Sequence, residues 1–259
     1  RISPRSFNKW KYFSSYYKFI TKTFFAIYAQ SKNDLKRIKY LTDIDVLYLG
    51  NLKLTKKNRI LSKSQVSKNI NIMIACTHHN EENLIIPCLE TISKVYPICK
   101  FFIAPRHPTR SKKIYDFLKS NKLDVQLDST KDNNECKYLI IDSLGKMDEF
   151  YIKCDIVFIG GSLSKNGGHN PIEAGLANSA IITGPNIFNW QNIYDEMIEK
   201  KACIMINNHK ELEKIFINLI NDKNLIQTYQ KKALSFSNNV FFEEEKLINK
   251  LNTKLKTNA

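Results

Sequence analysis

The stretch FIGGSLSKNGGHNPIE, Phe158 to Glu173, holds four of the chain's eight glycines. It leaves an apolar run and ends where a helix can start. Asn170 suits an N-cap, Pro171 the first helical position and Glu173 the third. Gly160 and Gly161 allow a tight exit from a strand and close approach of a ligand to the backbone; Gly167 and Gly168 form a second corner. A helix start offers free N–H groups and the positive end of a dipole, which suits a phosphate. A glycine turn before a capped helix accounts for Asn170–Glu173 taken alone. It does not account for two glycine pairs flanking Ser162 and His169.

Outward from that stretch, short β-rich runs alternate with helical segments. INIMIAC (70–76), CKFFIAP (99–105), KYLIID (137–142, led into by DVQL), DIVFIGG (155–161), SAIITG (179–184) and ACIMI (202–206) read as strands. Helices are expected over 81–95, around 111–121, briefly before 155, after the quoted loop, near 189–200, and through the last fifty residues. Continuous apolar runs joined by helices indicate an α/β protein with a parallel sheet covered on both faces. Six such strands between about 56 and 237 match a Rossmann-like domain. The first fifty residues supply only two: FFAIYAQ (24–30), expected to be buried, and VLYLG (46–50), with a helix capped by Ser31 running to about Tyr40 between them. They read as the tail of a truncated N-terminal Rossmann-like domain, and NLKLTKKN (51–58) as a linker. The domain expectation is therefore 1–55 as that tail and linker, 56–237 as the nucleotide-binding domain, and 238–259 as a C-terminal helix. The chain opens on Arg1 inside an amphipathic, aromatic-rich segment, so we expect a fragment or processed product.

In open parallel sheets, ligands bind beyond the carboxyl ends of the strands. The polar clusters fall there: THHNEE after Cys76, PRHPTR after Ala104, DSLGKM after Ile141, and the quoted loop after Ile159. Arg106 and His107 lie between prolines, and an arginine so placed makes charge-assisted contacts to phosphate. His78, His79, His107 and His169 match no common zinc spacing, and imidazoles beside phosphates serve more often as hydrogen-bond donors. Neither a G-x-x-x-x-G-K-[ST] loop nor a G-x-S-x-G elbow occurs.

Hydrophobic residues make up 43 % of the chain, which excludes a disordered polypeptide. The net charge of +15 favours anionic partners, although lysine- and asparagine-rich coding bias explains it equally well. No run of eighteen apolar residues and no signal-peptide pattern is present. Cys76, Cys88, Cys99, Cys136, Cys154 and Cys203 show no CxxC spacing and read as buried free thiols of a reducing compartment.

The motifs FIGGSL, GGHNPIEAG, GP and FNW, with THHNEE, PRHPTR and DSLGKM upstream, resemble the C-terminal part of the 3-deoxy-D-manno-octulosonic acid (Kdo) transferases. RISPRSF, AQSKNDLKRI and GNLK resemble that family's inter-domain region. The resemblance implies a two-domain GT-B fold with the active site in the cleft. It implies transfer of Kdo from CMP-Kdo to a lipid A precursor, with inversion, no cofactor and no required metal. It implies a location at the cytoplasmic face of a bacterial inner membrane, an anionic membrane surface as partner, and no role for nucleic acid. Carried over residue by residue, Pro105 and Arg106 match the nucleotide contact. Leu144, Gly145 and Lys146 match a second loop, and Asn170, Pro171, Ile172 and Glu173 match the helix-start contact. Thr77, His78, His107, Gly161, Ser162, Gly168 and His169 stand around them as supporting residues.

Departures from the family pattern are informative. Lys146 stands where the second loop usually has an acid, and His79 and Asn80 replace a Glu-Gly pair. The family's catalytic glutamate has no counterpart here, so no catalytic residue is expected in this chain, which would bind donor without turning it over. Two alternatives stay open: another GT-B sugar-nucleotide enzyme, such as a UDP-sugar transferase or epimerase, and a non-catalytic basic module binding anionic lipid or nucleic acid.

Overall fold

The structure, a computed structural model, describes residues 2–50, 69–130, 132, 135–240, 248–249 and 251–253. The chain divides into two compact units: Arg1–Arg59 with Val240–Ala259, and Ile60–Asn239. The linker expected over 51–58 lies outside the described residues.

The first unit opens with α1 (Pro4–Tyr12), capped by the Ser3 hydroxyl and begun by proline, and α2 (Ser14–Thr21). Strand β1 (Ile27–Ala29), helix α3 (Lys32–Leu41) and strand β2 (Val46–Tyr48) follow as a parallel βαβ piece, with Ile27 opposite Val46. Ser31 caps α3 as expected, accepting from the Asp34 amide at 3.0 Å. The small core is Ile2, Ala29, Ile38, Leu41 and Val46. The buried strand expected over 24–30 is shortened to three residues. Phe24 and Phe25 are about half exposed, at 51 % and 49 %. The reason is local: the Phe24 amide donates back to the Thr21 carbonyl in the turn after α2, so it is not available to a ladder.

The second unit contains β3 (Ile70–Thr77), α4 (Glu81–Val95), β4 (Cys99–Pro105), α5 (Ser111–Ser120), β5 (Val125–Leu127), β6 (Tyr138–Ile140) and α6 (Met147–Lys153). It continues through β7 (Ile156–Ile159), α7 (Ile172–Leu176), β8 (Ala180–Thr183), α8 (Gln191–Glu199), β9 (Ile204–Met205), α9 (His209–Asn221) and α10 (Lys223–Asn239). All its strands run parallel in the order β5-β6-β4-β3-β7-β8-β9. Every residue of β7 and β8 is buried, which is why these runs are continuously apolar rather than alternating. Seven strands stand where six were expected. The additional one, β5, is a three-residue edge strand paired on one side only, too short to read as a core strand. Of the helix expected through the C-terminus, α9 and α10 account for the described part up to Asn239; 241–247, 250 and 254–259 lie outside the described residues.

The chain order reverses at β3, with β4 on one side and β7 on the other. That is the topological switch point, where a crevice opens beyond the carboxyl ends of the strands. A bulge sharpens it. The β3–β4 register slips between Ala75 and Thr77, and Cys76 takes a left-handed conformation, φ 56°. Such a bulge re-aims the residues that follow, here Thr77 and His78.

Candidate functional site

The loops after β3, β4, β6 and β7 leave the sheet at this end, and two are fastened to one turn. After β3, Asn80 adopts φ 70° and the chain reverses into α4. Glu81, only 1 % exposed, accepts four backbone N–H bonds with its carboxylate. Oε2 takes His78 N at 2.8 Å and Gly161 N at 2.7 Å; Oε1 takes Leu163 N at 2.9 Å and Ser164 N at 3.2 Å. Beside it, buried Glu82 accepts from the Thr77 hydroxyl at 2.6 Å and from Arg110 Nη2 at 2.7 Å. Arg110 Nη1 donates to the Thr77 carbonyl at 3.2 Å, and Arg106 N to the same oxygen at 2.9 Å.

The glycine loop is folded by its two glycine pairs together. Gly160 lies so close to β3 that a Cβ would stand 2.8 Å from both Cys76 O and Thr77 Cα. Gly161, Gly167 and Gly168 all have left-handed φ, and Gly168 N donates to Gly161 O at 2.9 Å, closing the loop. Ser162 faces inward: its hydroxyl donates to Ile159 O and accepts from Gly184 N at 2.8 Å. It holds the loop against the turn after β8, and its hydroxyl has both neighbours filled. The amides of Gly161, Leu163 and Ser164 are taken by Glu81.

His169, His78 and His107 gather over this loop. The rings of His78 and His169 stack at 9° with centroids 5.0 Å apart, and their Nε2 atoms lie 2.8 Å from each other. A single proton between two nitrogens satisfies that contact, so one ring donates and the other accepts. His107 meets His78 edge-on at 6.3 Å. Burial first, and then the electrostatic influence of His78, Arg106 and His107, pushes the His169 imidazole down to about 4. Burial also lowers His78, with Glu81 opposing it. Near neutral pH these two rings are uncharged hydrogen-bonding groups. Among the described residues no group of three or more His, Cys, Asp and Glu is placed to hold a metal ion.

The helix start differs from expectation by one residue. α7 begins at Ile172, so its cap is Pro171, and Asn170 precedes it. The Asn170 side chain still serves the turn: Oδ1 accepts from Ile172 N at 3.1 Å and Nδ2 approaches Glu173 Oε1 at 3.5 Å. With five residues, α7 supplies little dipole, so Arg106 is the principal positive group in the crevice. Arg106 and Glu173 both act electrostatically on the Cys76 thiol, which burial pushes up to about 11. The structure thus brings Thr77, His78, Pro105, Arg106, His107, Gly161, Gly168, His169, Asn170, Pro171 and Glu173 to the switch point, with Ile172 buried behind them. Leu144, Gly145 and Lys146 follow β6, two strands away from β3. Leu144 is 79 % exposed and Gly145 has φ 83° with open space around it. Lys146 is paired with buried Asp128 at 2.8 Å, a hydrogen bond that raises its ammonium above the usual range. That pairing explains how a lysine is accommodated there. Sequence reading missed Glu81, Glu82, Arg110 and Asp128. The available signal was a pair of acids at a helix start in a strongly basic chain.

With strands ordered this way around a crevice between β3 and β7, the second unit is a Rossmann-like domain of the GT-B glycosyltransferase fold. A solved structure shares it: the C-terminal CMP-Kdo binding domain of WaaA from Acinetobacter baumannii, with TM-score 0.62, 24 % identity, and coverage of 66 % of this chain and 90 % of that one. Within that class, the chain belongs to the Kdo transferase family. Residues 1–56 match the family model described as 3-deoxy-D-manno-octulosonic-acid transferase (kdotransferase). A 3-deoxy-D-manno-octulosonic acid transferase of Rickettsia prowazekii is 32 % identical over 252 residues, 92 % of this chain and 54 % of the relative. One from Haemophilus influenzae is 33 % identical over 152 residues, 58 % of this chain and 36 % of the relative. The chain spans about half the length of the first of these relatives.

Proposed function

We propose that this chain provides the donor side of a Kdo transferase: it binds CMP-Kdo, whose sugar passes to a lipid A precursor at an anionic membrane surface, the cytoplasmic face of a bacterial inner membrane. The observation that carries the reading is the convergence of Arg106, His107, the closed glycine loop and Asn170–Glu173 on the switch-point crevice of a family member. Arg106 supplies the charge for the phosphate, the neutral His78–His169 pair supplies hydrogen bonds, and Glu173 is placed to accept from a ribose hydroxyl. We assign the chain donor binding only, because the resemblance puts the general base outside the matched residues. No described helix is long and apolar enough to cross a membrane. The membrane contact we assign to α1 and α2, which expose Tyr12, Tyr16 and Phe19 beside lysines.

Isothermal calorimetry with CMP, and with UMP beside it, tests the reading. CMP is expected to bind in preference to UMP and equally with or without EDTA, since Arg106 supplies the positive charge. Equal affinity for the two nucleotides, or loss of CMP binding on chelation, would overturn it.

A further inference from the structure

The turn after β3 carries two adjacent carboxylates that the donor reading does not use. Both are buried, and each faces a different loop of the site. Glu81 gathers the amides of Gly161, Leu163 and Ser164 from the glycine loop, and His78 N from its own turn. Glu82 holds Arg110, four residues beyond Arg106 in the β4 loop, and Thr77 between them.

A carboxylate desolvated to this degree is costly unless hydrogen bonds fill both oxygens, and here they do. The start of the 15-residue α4 adds a favourable dipole. The three glycine-loop amides form the kind of concavity that elsewhere holds an anion, and Glu81 fills it from inside the protein. With those amides occupied, a ligand phosphate above the loop depends on Arg106, the imidazoles and the Asn170 turn.

We propose that Glu81 and Glu82 are positioning residues for the donor site: Glu81 fixes the glycine loop, and Glu82 fixes the β4 loop through Arg110, so that one two-residue turn holds both loops in register for an anionic nucleotide. The proposal rests on the donor-site reading above. It differs from a fold-stability role in one measurable way. The turn acts on ligand affinity in protein that remains folded.

The test uses the full chain with Glu81→Gln, which keeps the size of the side chain but turns an NH2 group toward two N–H donors. Amide hydrogen exchange at Gly161, Leu163 and Ser164 is measured without ligand. CMP affinity is measured by calorimetry at a temperature where both proteins are folded. Exchange at the three amides should quicken, and the CMP dissociation constant should rise by about ten- to a hundredfold, as a displacement near 1 Å costs in a preorganised site. Glu81→Asp, which retains two acceptor oxygens, should lose less. If Glu81→Gln does not fold, Glu82→Gln tests the same idea through the other loop: it should weaken CMP while leaving exchange at Gly161 unchanged. Unchanged exchange in Glu81→Gln, or faster exchange with unaltered CMP affinity, would overturn the proposal. Absence of CMP binding by the unaltered chain would sink the donor reading instead, and the ligand-free exchange comparison tells the two failures apart.

Discussion

At the scale of single residues, the site sets one exposed arginine beside two half-buried neutral rings, His78 and His169. Glu173 stands near Cys76 and Tyr151, both of which its charge holds higher. Glu173→Ala should weaken CMP by about 1–3 kcal/mol if the carboxylate accepts from ribose, and calorimetry showing wild-type affinity in the folded variant would remove that role. His169 gives a pH prediction. Its folded-state value of about 4 lies below the 6.5 of a free imidazole, so the unfolded chain binds the proton first. Its contribution to stability is complete above pH 6.5 and is lost as pH falls toward 4. The ring is partly open to solvent, so the loss is roughly 1–2 kcal/mol rather than the full linkage value. Denaturant midpoints at pH 7 and pH 5 should differ more for the native chain than for His169→Asn. Equal slopes would show that burial and the neighbouring His78, Arg106 and His107 do not hold the ring neutral.

At the scale of elements, legibility followed locality. Strands β3, β4, β7 and β8 could be read because burial on both faces leaves an uninterrupted apolar run, and Ser31 because a cap is a contact three residues long. β5 could not, because an edge strand of three residues with only Val125 buried carries no such run. Glu81 could not, because its amide partners lie about eighty residues away and nothing in THHNEE points to them. The packing of α7 was equally hidden. Its Gly175 meets α10 so closely that a Cβ would stand 2.1 Å from Ser237 Oγ and 3.1 Å from Ala233 O. Among the described residues, Ser237 Oγ is buried without a hydrogen-bond partner, so it can be removed at little cost. Gly175→Ala should therefore destabilise by about 1–3 kcal/mol through overpacking, and Ser237→Ala should restore most of it. A double variant no more stable than Gly175→Ala alone, measured by thermal unfolding, would place the strain in the Ala233 backbone instead.

At the scale of the whole molecule, charge and exposed aromatic surface point the same way. The net charge of +15 is spread along the chain, but in the first unit it is interleaved with aromatic rings. Tyr12 is 87 % exposed, and Phe13, Tyr16 and Phe19 are mostly exposed, beside Lys9, Lys11, Lys18 and Lys22. Lys18 is already paired with Asp43, and Lys11 lies over the Phe7 ring at 4.7 Å. Aromatics with lysines on short amphipathic helices are the composition of a surface that lies in the headgroup layer rather than across the bilayer. Chain sedimented with anionic vesicles should bind more strongly than with zwitterionic ones, and less as salt rises, because the lysine term is screened beyond the Debye length. Phe13→Ser with Phe19→Ser should remove roughly 2 kcal/mol of apolar burial, about a thirtyfold fall in partitioning. The salt slope should persist in that double variant, since no lysine is altered. Undiminished vesicle binding by it would show that charge alone carries the contact and that the helix pair faces something other than lipid.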